Sequence, residues 1–566
     1  MLSWQPAPVT ELYLTFPNYS VPEADPGSFG RPSYHRVPLA SSAHSDFRRL
    51  PHLLPGAQPS VRIARKSPEV GHGHDTGAYC PLTQGASIMD HDHEHLDDVR
   101  CSCCRRGFLQ AMGAGGLALL GASAVPASPD PKASAPKKKT PTVRGAFLYP
   151  PSERLKQEGY WSWPGSNFDA EGRQKSYLAQ VAAMEKRLAM RIAMEAEALD
   201  TPADAGRFIA ELKQSPPDGL LLIPLEKGHW DLVLKIIDET KLPAVVLATL
   251  GALLSDHIRT LHARPGVYLI SAGDDFRAVE WGMKMIRTAR WMKDARLVNI
   301  SGTQYREATV PNWGCQMRCV PHARFVDVFN QTKPLGPVAE LAKAYRKGAK
   351  AIVEPSEADI VESARAALTL KRIVEEEQGD AAMMDCLPGL KIPHKHCPPC
   401  MGYMTLRDEG LPIGCQADLS ATLSLMLGQQ LFGRPGFQQN ASMDTEQNLY
   451  FGSHCTSPSK MLGPNGPAEP YELRSHAEAG WGCVPRVLFK PGQEMTILQY
   501  KPGPKPEMYI YTGQVVECPP IPPTGGCRTN VKMTINEVRD VCDVKGMHQA
   551  IFYGNYARQL RTFIMR

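Results

Sequence analysis

The chain has 566 residues, 43% of them hydrophobic and 21% charged, with a formal net charge of +5. At roughly 150 residues per domain, that length predicts three or four domains or extensions rather than one core. The small positive excess, partly held in Lys137-Lys138-Lys139, leaves no electrostatic footprint for nucleic acid, and no apolar run of about 18 residues follows residue 130, which excludes a membrane bundle for the body.

Residues 1–88 are rich in Pro, Ser, His and Arg and lack periodicity, so they predict a disordered N-terminal extension. The "GHGHD" cluster there and "DHDHEH" at residues 90–95 carry metal-ligating residue types, but such alternation in an unstructured tail reads first as a solvated run. Residues 89–127 contain "CCRRGFLQAMGAGGLALLGASAVPA". Here Arg105-Arg106 is followed by Phe108-Leu109, a weakly apolar stretch and a small-residue site at Ala122-Ser123-Ala124. The segment resembles a twin-arginine export signal, which implies a passenger that folds before crossing, a periplasmic or extracellular location, and a translation start at Met89. A cytoplasmic location is the alternative.

Residues 128–142 form a Pro, Ala, Ser and Lys linker. From 143 to 302, "VRGAFLY", "RIAMEAEAL", "GLLLIPL", "AVVLAT", "GVYLIS" and "RLVNIS" read as strands. Helices are predicted over Lys175–Leu188, Pro202–Lys213, Asp231–Thr240 and Phe276–Met292. Continuous apolar strands alternating with helices predict a parallel sheet covered on both faces. A second α/β domain is predicted over 303–456: strand "RFVDVF", a helix near Val338–Lys347, strand "KAIVE", a helix near Glu357–Glu377, strand "DAAMMDC", then "PIGCQAD" and a helix Leu419–Phe432 ended by Gly433-Arg434-Pro435. From 457 to 566, short β runs among many Pro and Gly predict a β-rich barrel or sandwich with a closing helix near Tyr556–Thr562.

There is no phosphate loop and no Gly-x-Ser-x-Gly elbow. Of 15 cysteines, 11 lie after the linker, an odd number at wide spacing that argues against a disulfide framework; Cys518 with Cys527 is one candidate isolated bridge. "HKHCPPC" offers His394, His396, Cys397 and Cys400 as a zinc or redox cluster, while Cys315 and Cys319 carry a weaker version of the same signal. Ligands of open α/β sheets bind beyond strand ends, which nominates Gln416, Asp418, Asn440, His454 and His548.

"GCQADLSATLSLMLGQQLFGRPGFQQN", "NLYFGSHCT" and "GMHQAIFYGNYARQL" together resemble the L-fucose isomerase and L-arabinose isomerase superfamily. The resemblance implies two Rossmann-like parallel-sheet domains followed by a barrel-like C-terminal domain with a return segment to the site. It also implies a homo-oligomer, a small-molecule sugar substrate, and open-chain aldose to ketose isomerisation. The family's divalent cation, usually manganese, is held by a Glu, an Asp and a His, and a carboxylate moves the proton between C1 and C2. Those positions fall on Gln416, Asn440 and His548 of this chain, so both acids are amides.

An amide oxygen can still ligate, but it brings no charge and cannot serve as the base. His548, Gln416 and Asn440 are therefore the expected metal set in a weakened site. Asp418 and His548 are the expected catalytic pair, with Asp444 or Glu446 as substitutes for the base, and Gln416, Asn440 and His454 are expected to bind substrate. Amides together with Trp161, Trp163, Trp313 and Trp481 could bond and stack on polyols, although core packing explains tryptophans more often. The expectation is an aldose–ketose isomerase with an altered metal site. Its alternatives are an exported, non-catalytic sugar-binding protein of the same fold and, more remotely, a metal or redox protein using His394 to Cys400.

Overall fold

The structure is a computed structural model that describes residues 135–564, apart from 159–164, 166–167, 253–254, 263, 392–393 and 521–525. The N-terminal extension, the Arg105-Arg106 segment, Trp161 and Trp163 lie outside the described residues.

The first sheet is wholly parallel. It is built from β1 (Thr142–Leu148), β2 (Arg191–Met194), β3 (Gly219–Pro224), β4 (Ala244–Leu247) and β5 (Val267–Ile270) in the order β2-β1-β3-β4-β5. Its central strand, Gly-Leu-Leu-Leu-Ile-Pro, is buried at every position, as an unbroken apolar run between two helical layers must be. Helices Ala170–Leu188, Pro202–Gln214, Trp230–Thr240 and Val279–Asp294 fall where the 3.6-residue period places them. The second begins with a complete capping box between Thr201 and Asp204, which satisfies two otherwise orphaned N–H groups. "RIAMEAEAL" gives only the four-residue β2, after which the chain touches the sheet again through a single bridge from Leu199 to Leu148.

The second sheet contains β6 (Arg296–Ile300), β7 (Arg306–Thr309), β8 (Gln316–Val320), β10 (Ala381–Met384) and β11 (Ile413–Cys415), ordered β11-β10-β6-β8-β7 with only β7 antiparallel. "RLVNIS", grouped above with the first series, is the middle strand of this second sheet. Two further expectations fail here. "RFVDVF" is part of the helix His322–Gln331: Phe325, Val328 and Phe329 are buried at helical spacing while Asp327 faces out. "KAIVE" supplies only β9 (Ala351–Ile352), which does not join the second sheet. It pairs in parallel with β14 (Tyr471–Arg474), itself antiparallel to β15 (Val484–Val487).

The C-terminal region closes into a six-stranded antiparallel barrel: β12 (Phe437–Asp444), β13 (Leu449–His454), β18 (Thr529–Met533), β17 (Glu507–Glu517), β16 (Glu494–Lys501) and β19 (His548–Tyr553), in that order around the ring. β12 and β13, expected within the second α/β domain, are barrel strands. Closure leaves no unpaired edge. The helix Leu419–Phe432 joins the layers. Its Leu425, Leu427 and Leu431 belong to one apolar cluster with Val245 and Tyr268 of the first sheet and with Leu498 and Phe552 of the barrel. Gly428 and Gly436 allow this close approach, since a Cβ at either would overlap the Phe552 ring. The closing helix Ala557–Ile564 returns to the first sheet, where Arg558 donates to the Leu269 carbonyl at 3.0 Å and to Tyr268 Oη at 3.2 Å. No helix among the described residues is long and apolar enough to cross a membrane.

Candidate functional site

β11 ends at Cys415, and the chain turns into the next helix through two consecutive non-glycine residues in the left-handed region, Gln416 at φ +56° and Ala417 at φ +49°. Such residues cost on the order of 1–3 kcal/mol each and persist only where surrounding contacts impose them. The contacts are visible. Gln438 of β12, fully buried, accepts from the Cys415 N–H at 2.8 Å and donates to the Cys415 carbonyl at 3.2 Å, while Arg407 donates to the Ile413 carbonyl. Gln416 is thus held half-buried at a strand end, on neither a strand nor a helix face.

Asp418 follows as the N-cap of Leu419–Phe432, its Oδ1 accepting from the Ala421 N–H at 2.9 Å. Its Oδ2 lies 2.7 Å from His548 Nδ1. A carboxylate accepts, so His548 Nδ1 carries the proton and the lone pair resides on Nε2, the tautomer suited to a base or a ligand. The Asp418 side chain is 7% exposed and that of His548 14%, so water competes little for the contact.

The barrel supplies the rest. Asn440 on β12 stands directly opposite His548 on β19 and opposite Ser453 on β13, and Ser453 stands opposite Asn530 on β18. Directly opposed residues project from the same face of a sheet, so His548, Asn440, Ser453 and Asn530 form one polar row. Asn530 Oδ1 is buried and has no hydrogen-bond partner. His454, at the end of β13, is 1% exposed; its ring centre is 5.8 Å from that of His548. Its Nδ1 is 3.4 Å from Cys455 Sγ, while its Nε2 is buried without a partner.

Of the expected residues, Asp418 and His548 are in contact, Asn440 is paired with His548 across the strands, and His454 packs behind His548. Asp444 is at the far, hairpin end of β12, where Lys532 at 2.7 Å holds its carboxyl below the usual range; Glu446 is exposed in the adjacent turn. Trp313 packs between Tyr500 and Phe563, and Trp481 against His394, so neither lies in the row.

The manganese expectation meets an unfavourable donor set. His548 and the two amides carry no negative charge, and the neighbouring carboxylate, Asp418, is already engaged by a helix terminus and by His548. A hard dication prefers charged oxygen ligands, so these residues do not fit it.

The "HKHCPPC" cluster is divided. His396 meets Phe325 edge to face and faces His322, Nε2 to Nε2, at 3.1 Å; Cys397 contacts Ser363 Oγ at 3.2 Å; His394 accompanies Trp481. Only Cys400 faces another group of thiols, which sequence spacing did not reveal. Cys386, Cys415, Cys455 and Cys527 come from separate chain segments and converge with Cys400, His454 and His476. Contacts from Cys400, Cys415 and Cys527 hold the Cys455 thiol well below its ordinary value, whereas the Cys400 and Cys415 thiols are pushed up by their thiol partners and by burial. The available signal was adjacency, since Cys415 precedes Gln416 and Cys455 follows His454. Cys518 and Cys527 are both free: Cys518 accepts from the Phe489 N–H, and Cys527 faces Cys455.

No family model matches the chain, and no curated protein matches it.

Proposed function

We propose that the chain acts on open-chain sugars at the rim between β11 and the barrel, interconverting aldose and ketose with His548 as the proton-transfer group in place of a metal-bound carboxylate. The observation that carries this reading is the 2.7 Å contact from Asp418 Oδ2 to His548 Nδ1. A carboxylate-oriented imidazole can take a proton at Nε2 and return it, whereas amides at 416 and 440 cannot.

In this reading His548 Nε2 removes the proton from C2 of the aldose. An amide N–H of Gln416 or Asn440 donates to the carbonyl oxygen as it gains charge. The enediol collapses when the imidazolium returns the proton to C1, while the hydroxyl proton passes from O2 to O1. His548 ends neutral, and only hydrogen positions have changed. The row of Asn440, Ser453 and Asn530 would bond the remaining hydroxyls. Two Rossmann-like domains, with ligand beyond the strand ends, and export ahead of a homo-oligomeric assembly belong to the same reading.

One observation favours a second reading, a non-catalytic sugar-binding protein: replacement of both acids by amides keeps hydrogen bonding while removing charge. A panel of aldoses incubated in D2O separates the two. Deuterium incorporated at C1 of the ketose formed, with label and ketose both lost in His548→Asn, supports the isomerase. Sugar binding by calorimetry without exchange supports the binding protein, and neither binding nor exchange overturns both.

A further inference from the structure

The buried thiols beside His454 are not used by the sugar chemistry, and their arrangement differs from ordinary core packing of cysteine. Cys415, Cys455 and His454 each place a donor atom within 4.8 Å of the others. Within the trio, His454 Nδ1 to Cys455 Sγ is 3.4 Å, and Cys386 Sγ, outside it, lies 3.8 Å from Cys415 Sγ. Tetrahedral zinc with bonds of about 2.3 Å to sulfur sets sulfurs about 3.8 Å apart. Core packing alone does not account for the polar atoms left over around the same point. His454 Nε2, Tyr403 Oη and Arg407 Nη1 are all buried without a hydrogen-bond partner.

Arg407 is the second, independent sign. The residue is 1% exposed, and the acidic groups around it are Cys415, Tyr403, Cys455 and Cys400. A buried cation beside neutral thiols is costly, but it is compensated if those sulfurs are thiolates held by a metal, whose surplus negative charge it offsets. His476 does not join the donor set as a ligand. Its Nδ1 accepts from the Ala479 N–H at 3.2 Å, which puts the ring proton on Nε2 and leaves that nitrogen no lone pair for a cation.

We propose that Cys415, Cys455 and His454 form a buried site for a thiophilic d10 cation, Zn2+ or Cu+. Soft sulfur donors and imidazole select such ions over manganese or magnesium. Each thiol that ligates releases its proton to solvent, and no redox step is involved. The site abuts His548 through His454, but it stands apart from the sugar reading and is tested without sugar.

The full chain, reduced and anaerobic, is titrated with Zn2+ and separately with Cu+ against a chromophoric chelator, and with Co2+ as the optical probe. Wild-type protein is expected to show thiolate-to-cobalt charge-transfer bands displaced by Zn2+. Cys455→Ser and Cys415→Ser are each expected to lose those bands and weaken Zn2+ binding by roughly 100-fold or more, beyond the 10–100-fold of outer-shell losses. Cys400→Ser, on the other side of Cys455, should change affinity by less than about 10-fold. His, Asp and Cys residues of the first 134 positions remain in every variant, so binding there appears as signal insensitive to all three. Stronger Cu+ than Zn2+ retention, or the reverse, identifies the ion. Alkylation followed by mass spectrometry needs no variant: added Zn2+ should protect Cys415 and Cys455. Bands unchanged in Cys455→Ser, absence of protection, or a native disulfide between any of Cys386, Cys415 and Cys455 would overturn the proposal.

Discussion

The side-chain amide of Gln438 bonds both backbone groups of Cys415, taking the place of a neighbouring strand at the buried sheet edge formed by β11. This joins the barrel to the second sheet at the residue before the left-handed turn. Gln438→Leu would leave a buried N–H and a buried C=O unpaired, each costing about 1–3 kcal/mol. Urea unfolding should show a loss of roughly 2–4 kcal/mol. A loss under about 0.5 kcal/mol, as at an ordinary surface position, would mean the junction is held elsewhere.

Asp418 caps a helix and orients His548 with different oxygens, and the two roles separate by substitution. Asp418→Asn keeps a good cap, so stability should fall by only a few tenths of a kcal/mol, whereas Asp418→Ala should cost about 1 kcal/mol. Both remove the carboxylate that fixes the imidazole tautomer. Nitrogen-15 NMR of His548 should therefore show a changed tautomer population in both variants, and any isomerase turnover should be lost in both. An unchanged tautomer in Asp418→Asn contradicts the orienting role.

His396 is buried against Phe325 and Phe329, and burial lowers its pKa from 6.5 to about 4. The unfolded chain then binds a proton that the folded chain refuses between those values. Its contribution to stability is complete above pH 6.5 and is lost progressively as pH falls toward 4. The full effect is on the order of 3 kcal/mol. Unfolding free energies measured between pH 7 and 4.5 should decline less steeply in His396→Gln than in wild type; parallel curves would place the acid sensitivity in other groups.

Gly428 lies inside the helix Leu419–Phe432, where alanine is normally better by about 1 kcal/mol. Here an added methyl meets the Phe552 ring, four residues along β19 from His548. Gly428→Ala should therefore destabilise, by about 1–3 kcal/mol from overpacking. A raised Tm in differential scanning calorimetry would show that the ring can move aside.

Restoring acids at the two amide positions tests the correspondence with the isomerase superfamily. Gln416→Glu combined with Asn440→Asp adds two charges near His548. Manganese affinity, read by paramagnetic relaxation of water, should rise by at least about 100-fold, since each charged ligand gains several kcal/mol at close range. No gain would mean that positions 416, 440 and 548 do not share a coordination centre.

The layers were legible because their cores have strong periods: fully apolar β3, the capped helix Pro202–Gln214 and the helix Leu419–Phe432 appear where patterning put them. "RFVDVF" misled because Phe325, Val326, Val328 and Phe329 satisfy both a strand and a helix period over so short a run. Sheet membership was less accessible. β6 joins the second sheet and β9 pairs with β14 through contacts that local sequence does not encode. At the site, strand ends and unusual amides drew attention to Gln416, Asp418, Asn440, His454 and His548. The thiols escaped because they assemble from Cys386, Cys415 and Cys455 on different elements, whereas the conspicuous Cys397 and Cys400 point to different neighbours.

The return of Ala557–Ile564 to β5 gives synthesis an order of events. The first sheet leaves the ribosome hundreds of residues before the segment that covers Leu269, yet Leu560 and Phe563 belong to the same apolar cluster as Tyr268. A layer made early is thus completed by a helix made hundreds of residues later. Until that helix emerges, the face must remain shielded by something other than its own partner.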